Sequence, residues 1–172
     1  MNPQKAYKFC LKCGGKLKNY AKYILKCNSC GFKVYINPVP CNGVIIVNEK
    51  NEIMLVKRKV DPKKGYWDLP GGFIQPGENL EQSVKREIKE ELDIDVEMIK
   101  FIGTYGDLYE FQSILVPTLG IIVTAKPLSF KFIPKDDISS YKFFAPKDVL
   151  KQKLAFKSLR KGLKDYIEVR YT

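Results

Sequence analysis

"GGFIQPGENLEQSVKREIKEELDI", residues 71–94, is the stretch whose reading decides the fold. Two glycines open it, and a Pro76-Gly77 turn follows. From Leu80 the apolar residues Leu80, Val84, Ile88 and Leu92 recur every fourth position, the pattern of a helix with one buried stripe. The spacing predicts a helix over 79–92. On it Glu87, Glu90 and Glu91 stand at i, i+3 and i+4, so their carboxylates project from one face while Val84, Ile88 and Leu92 turn into a core. Three like charges on one face repel, and a helix built only for stability would interleave them with lysine. Clustered hard oxygen ligands are what Mg²⁺ or Mn²⁺ requires, and such a cation offsets the repulsion. Arg86 is placed to hold a neighbouring carboxylate with its planar fork. The Gly71-Gly72 pair lets backbone come close to a phosphate or a metal. A charge run is ordinarily a solvated helix face. Here the leading Gly-Gly loop, Glu78 and the Arg86-Glu87 pair all favour a metal-binding face instead.

Working outward, 43–47 is β-branched, 48–51 supplies a turn and 52–58 alternates, which predicts a hairpin. Residues 61–65 read as a loop and 67–69 as a short extended piece leading into Pro70. Beyond the helix, strands are expected near 95–104, 109–115, 119–125 and 141–144, and a second helix over 155–169. Strands, a helix, more strands and a terminal helix imply a mixed α/β sheet with helices packed on it.

Residues 1–37 form a different block. Cys10-x-x-Cys13 and Cys27-x-x-Cys30 are two thiol pairs separated by thirteen residues, and the chain has no histidine. A pair two residues apart can place both sulfurs on one tetrahedral ion, and two pairs complete the four ligands of a structural Zn²⁺. The glycines after each pair and the short Tyr/Ile/Leu runs between them fit a small zinc ribbon. A block this small does not hold itself by burial alone. Four sulfurs with no open position give that ion no catalytic role. Pro38 and Pro40 mark the boundary, so the expected domains are 1–37, the ribbon, and 38–172. The fifth cysteine, Cys41, reads as a small filler at a strand start.

The net charge of +11 is unevenly placed: residues 1–48 contain no acid, eight lysines fall between Lys5 and Lys33, and eight acids lie between Gly77 and Glu97. The asymmetry fits either polyanion attraction around a metal centre or plain solvated lysines. A Lys-rich ribbon with Tyr7, Phe9, Tyr20, Tyr23, Phe32 and Tyr35 is also a candidate nucleic-acid surface, although such aromatics more often fill a miniature core. No apolar run approaches the length of a membrane helix and no signal-peptide pattern opens the chain, so the expectation is a cytoplasmic protein without a membrane partner.

The matched residues Gly72, Glu78, Arg86, Glu87, Ile88, Glu90, Glu91 and Ile94 resemble the Nudix box, Gly-x5-Glu-x7-Arg-Glu-(apolar)-x-Glu-Glu-x-Gly-(apolar). The sequence departs from it where the second glycine is Asp93. Asp tolerates the left-handed conformation expected there better than most residues do. The resemblance covers about residues 39–170 and implies a Nudix hydrolase, an α/β/α sandwich with a mixed sheet behind a four-cysteine ribbon. It implies Glu87 and Glu91 as principal ligands of Mg²⁺ or Mn²⁺, assisted by Glu90 and the carbonyl of Gly71, with Arg86 orienting Glu87 and Glu78 supporting the loop. The base that activates water is then Glu87 or a carboxylate from a later loop: Asp136, Asp137, Asp107 or Glu110.

A ribbon ahead of such a domain is similar to the NADH pyrophosphatases and to shorter plant-type FAD and ADP-ribose pyrophosphatases. The NADH enzymes carry a Ser-Gln-Pro-Trp-Pro-Phe-Pro-type segment that residues 111–117 do not match. The resemblance therefore implies ADP-ribose or FAD as substrate, then NADH. Aromatic faces for a base or flavin are available from Tyr66, Trp67, Tyr105, Phe111 and Phe156. Arg58, Trp67, Tyr105 and Phe111 are taken as candidate substrate contacts. The alternatives are an RNA 5′-end hydrolase acting on a cap or pyrophosphate, with nucleic acid as partner, and a non-catalytic Nudix ligand-sensing module. Many Nudix proteins are dimers, so a homodimer is allowed by analogy alone.

Overall fold

The computed structural model describes residues 1–171, and Thr172, the last residue of the expected second domain, lies outside them. It divides into two compact units, one of Met1–Val39 with Leu108–Thr118 and one of Pro40–Asp107 with Leu119–Thr172. In chain order the elements are α1 (Pro3–Ala6), β1 (Leu17–Ala21), β2 (Ile24–Cys27), β3 (Lys33–Tyr35), β4 (Val39–Ile46), β5 (Ile53–Arg58), β6 (Trp67–Asp68) and α2 (Leu80–Leu92). They continue with β7 (Val96–Phe111), β8 (Ile114–Pro127), β9 (Ile138–Phe144), α3 (Pro146–Val149) and α4 (Lys157–Tyr171). No helix of the described residues is long and apolar enough to cross a membrane.

In the first unit β1, β2 and β3 form an antiparallel sheet in that order. One side of it buries Leu25 and Cys27, and Pro3, Cys10, Ile36 and Thr118 are also buried in this unit.

In the second unit, β4 and β5 are apolar at consecutive positions because both of their faces are covered. Val44, Ile46, Met54 and Val56 turn to one side and pack with Val84, Ile88 and Leu92 of α2. Ile45, Ile53 and Leu55 turn to the other and pack with Leu159, Leu163 and Tyr166 of α4. A helix thus lies over each face. Each fully buried side chain of this size contributes about 1.5–3 kcal/mol, so the α2 stripe is fixed firmly enough to carry charged residues on its other side. Asn79 caps α2 by accepting from the backbone N–H of Gln82, while the Gln82 side chain accepts from the N–H of Asn79, a reciprocal capping box.

The strands depart from the sequence reading in two places. The hairpin turn predicted at 48–51 forms, with Asn48 accepting from the N–H groups of Lys50 and Glu52. Among the described residues its two strands nevertheless share a single bridge, Val47 to Ile53, and then diverge. β4 joins a sheet of order β4-β8-β7, and β5 joins one of order β6-β5-β9, where it pairs antiparallel with both neighbours. The strands expected near 95–104, 109–115 and 119–125 are in fact two long ones, β7 and β8. They turn at Gln112 and Ser113, both at positive φ (45° and 66°). Neither residue type advertises such a turn, and the pairing runs through both of the gaps expected between these strands, 105–108 and 116–118.

Candidate active site

Arg86 organises the carboxylates of α2. Its Nε and Nη2 donate to the two oxygens of Glu78 at 2.6 and 3.0 Å, a bidentate pair. Its Nη1 donates to Glu87 at 2.8 Å and Glu90 at 2.9 Å, and Nη2 also reaches the carbonyl of Phe73 at 3.0 Å. The Arg86 bonds, with the N–H of Gln75, hold the Glu78 carboxyl down to about 2. Glu78 thereby ties the loop before α2 to the helix.

The other two glutamates sit deeper. Burial raises the pKa of Glu87 above the ordinary carboxylate range, against the pull of Arg86. Glu91 is 5% exposed and receives the backbone N–H of Gly71 at 2.9 Å. Burial raises its pKa well above the ordinary range, and the neighbouring charges of Asp137 and Glu87 add to the effect. Glu90 is half exposed and is bound by Arg86. These acids occupy the second half of α2, where the negative end of the helix dipole opposes them as well.

The Gly71-Gly72 backbone is shaped around these groups. A Cβ on Gly72 would lie 2.7 Å from the Glu87 carboxylate, and one on Gly71 would lie 2.6 Å from both the backbone oxygen and Oδ1 of Asn42. Asn42 is buried; its backbone N–H donates to Gly72 O and its Nδ2 to Ser83 Oγ, leaving Oδ1 with no hydrogen-bond partner. A divalent cation fits this chemistry: hard, desolvated carboxylate oxygens, a loop without side chains in front of them and an unsatisfied carbonyl oxygen beside Gly71. Asn42 and Ser83 escaped the sequence reading. The signal available for Asn42 was an amide at the head of an otherwise apolar strand.

Among the later-loop carboxylates, Asp137 is the one whose charge raises the pKa of Glu91, and it bears on Glu87 and Asp68 as well. Asp136 is its neighbour at positive φ. Asp107 accepts from the backbone N–H of Ser158 in the first turn of α4. Glu110 lies in the segment grouped with the first unit.

Three of the candidate substrate contacts, Arg58, Trp67 and Tyr105, have partners within the second unit. Arg58 donates to Asp68 at 3.1 Å and to Pro62 O at 2.9 Å, and lies over the Phe156 ring. Burial pushes Asp68 up to about 6 in spite of Arg58. Trp67 packs edge-on against Phe144. Tyr105 donates to Asp165 at 2.7 Å and joins the α4 core. Phe111 lies in the first unit and is half exposed. Burial also pushes the Cys41 thiol up to about 11. Asp93 adopts the left-handed conformation expected of it (φ 58°, ψ 30°), with Lys135 Nζ on its carboxylate at 2.8 Å.

In the first unit the sulfurs of Cys10, Cys13, Cys27 and Cys30 all lie within 4.8 Å of one another. Two matching knuckles bring them there: the N–H of Gly14 bonds Cys10 O, and that of Gly31 bonds Cys27 O, with both glycines at positive φ. Backbone N–H groups of Cys30 and Ser29 lower the Cys27 pKa to about 6, while the neighbouring sulfurs of Cys30 and Cys27 raise that of Cys13 to about 12, so the four thiols share their protons unevenly. The four-sulfur donor set fits Zn²⁺.

The comparisons agree with this architecture. The NUDIX domain model matches residues 38–166. The chain therefore belongs to the Nudix family, and its fold is that family's mixed sheet between helices. Among curated proteins it is 40% identical over 91 residues to the ADP-ribose pyrophosphatase of Methanocaldococcus jannaschii, covering 52% of this chain and 53% of that one. It is 36% identical over 104 residues to the NAD-capped RNA hydrolase NudC of Haemophilus influenzae, covering 58% and 39%. The matches thus span about half or less of those relatives. A solved NUDIX hydrolase from Nitrosomonas europaea superposes with a TM-score of 0.76 at 27% identity, covering 96% and 93% of the two chains.

The buried glutamates set a pH dependence. Because the folded pKa of Glu91 is raised, the folded, metal-free protein keeps a proton that the unfolded chain has released, and stability falls as pH rises through that window. Glu91→Gln imitates the protonated form and removes this contribution. As pH rises above the ordinary glutamate range, the Tm of the metal-free wild type is expected to fall relative to that of Glu91→Gln; parallel courses would contradict the assignment.

Proposed function

We propose that the chain hydrolyses the diphosphate of a nucleoside diphosphate linked to a second group, with ADP-ribose or FAD the preferred substrate and NADH behind. The observation that carries this reading is the set of desolvated carboxylates, Glu87 and Glu91, held against the Gly71-Gly72 turn by Arg86 and by the Gly71 N–H. Glu87 and Glu91, assisted by Glu90 and the Gly71 carbonyl, would hold Mg²⁺ or Mn²⁺. When bound, the cation supplies positive charge against the diphosphate and acidifies nearby water. The chain's own residues do the rest. Arg86 orients Glu87, and Glu78 fixes the loop. An Asp137 carboxylate oxygen accepts the proton of the attacking water, whose oxygen adds to one phosphorus as the bridging P–O bond breaks. For ADP-ribose the products are AMP and ribose 5-phosphate. The domains that serve this activity are taken as 1–37 and 38–172.

Similarity to the archaeal ADP-ribose pyrophosphatase supports the small-molecule substrate, as does the mismatch of residues 111–117 to the NADH-type segment. Similarity to the RNA hydrolase, with the acid-free N-terminal block, favours an RNA 5′ end as the second reading.

With Mg²⁺ or Mn²⁺ and a panel of ADP-ribose, FAD, NADH and 5′-capped RNA, the highest kcat/KM is expected on ADP-ribose or FAD. Glu91→Gln should lower it at least about 100-fold with the fold intact. Unchanged rates in the variant would reject the metal-ligand role. Separately, elemental analysis should find about one zinc per chain, and a chelator strong enough to strip it should unfold residues 1–37. A zinc-free chain with that segment still folded would reject the ribbon.

A further inference from the structure

The register of the N-terminal sheet sets three lysines in a row. Lys18 lies directly opposite Lys26, and Lys26 directly opposite Lys33, so one side chain from each of β1, β2 and β3 shares a face. Directly opposed side chains are about 4.5–5.5 Å apart at Cβ, and like charges there are destabilising. Nothing on the sheet neutralises them. No acid occurs before Glu49, and among the described residues none of the three lysines is in an ion pair. The opposite face is the one that buries Leu25 and Cys27, so the two sides of the sheet are segregated.

Two tyrosines accompany the lysines. Tyr20, at the bulge in β1, has Lys26 Nζ at 5.4 Å and Lys33 Nζ at 4.7 Å from its ring centroid, which places it on the lysine face. Tyr35 pairs with Ile24, two residues along β3 from Lys33, and alternation puts it on that face too. They are 54% and 58% exposed, so neither ring is core filling.

We propose that this face binds single-stranded RNA, the lysine row taking successive phosphates and the Tyr20 and Tyr35 rings stacking unpaired bases. A polyanion relieves the unneutralised row, which selects the charge of the partner. Exposed rings within the row select bases over a plain polyanion, and unpaired bases over a duplex, whose bases are already stacked. The phenol hydroxyls at the ring edges suit a ribose 2′-hydroxyl, the group that separates RNA from DNA. The proposal goes beyond the hydrolase reading, and it is read out by binding alone.

The test is fluorescence anisotropy of a labelled single-stranded RNA of about ten nucleotides with the full zinc-loaded chain, without added Mg²⁺ or Mn²⁺, across a salt series. Lys18→Gln/Lys26→Gln/Lys33→Gln should flatten the slope of log K against log salt by about 2, since each phosphate contact on a single strand contributes about 0.7. Tyr20→Ala or Tyr35→Ala should each weaken binding about tenfold. Zinc content and circular dichroism report that the variants are folded. A control of equal charge change, Lys50→Gln/Lys126→Gln/Lys161→Gln, should leave the slope nearly unchanged. Equal losses in the control would mean net charge alone is responsible. Equal affinity for the duplex would remove the stacking role, and tighter binding of the deoxy probe would remove the assignment to RNA. Any of these overturns the proposal, as does a wild type that does not bind.

Discussion

Arg86 donates to Glu78, Glu87 and Glu90 at once, and the rest of the second unit can be understood from the need to hold that arrangement. Four glutamates gathered at one loop and one helix face repel each other, and those near the end of α2 also oppose the helix dipole. A single guanidinium with five donors in a fixed plane can tie several carboxylates where a lysine, a point charge, could not. Glu91 lies outside its reach and depends instead on the N–H of Gly71. The glycine pair is therefore bound into the site from both sides: Gly71 donates to one ligand candidate, and the missing side chain of Gly72 leaves room for the other.

This placement needs a helix that does not move, and the packing supplies one. Val84, Ile88 and Leu92 are fully buried against β4 and β5, the capping box fixes the start of α2, and Asp93 closes it in the left-handed conformation. β4 also positions Asn42, whose backbone and amide bond Gly72 and Ser83, connecting the strand, the loop and the helix in one network. The α4 side of the sheet carries none of these carboxylates and serves as the second core.

Much of this was legible in the sequence because it is local. The period of Leu80, Val84, Ile88 and Leu92 gave the helix and its buried side, and the paired Cys-x-x-Cys spacing anticipated four sulfurs converging. What escaped depends on partners distant in sequence. Consecutive strands β4 and β5 pair with β8 and with β6 and β9, partners distant in sequence that a local hairpin signal does not report. Gln112 and Ser113 take positive φ under the pull of long strand pairing. Asp137 stands out from Asp136, Asp107 and Glu110 only once the loop before β9 is laid beside α2, and Arg58, a plausible anion contact by charge, is held by Asp68 and Pro62.

The central claim is that Glu87 and Glu91 are collected at the Gly71-Gly72 turn to hold a divalent cation. A crystal soaked in Mn²⁺ and measured for anomalous scattering tests it most directly. The account predicts a peak between the Glu87 and Glu91 carboxylates next to the Gly71 carbonyl, with Arg86 still on Glu78. Featureless density there, with Glu91 still on the Gly71 N–H and Glu87 still on Arg86, would contradict it.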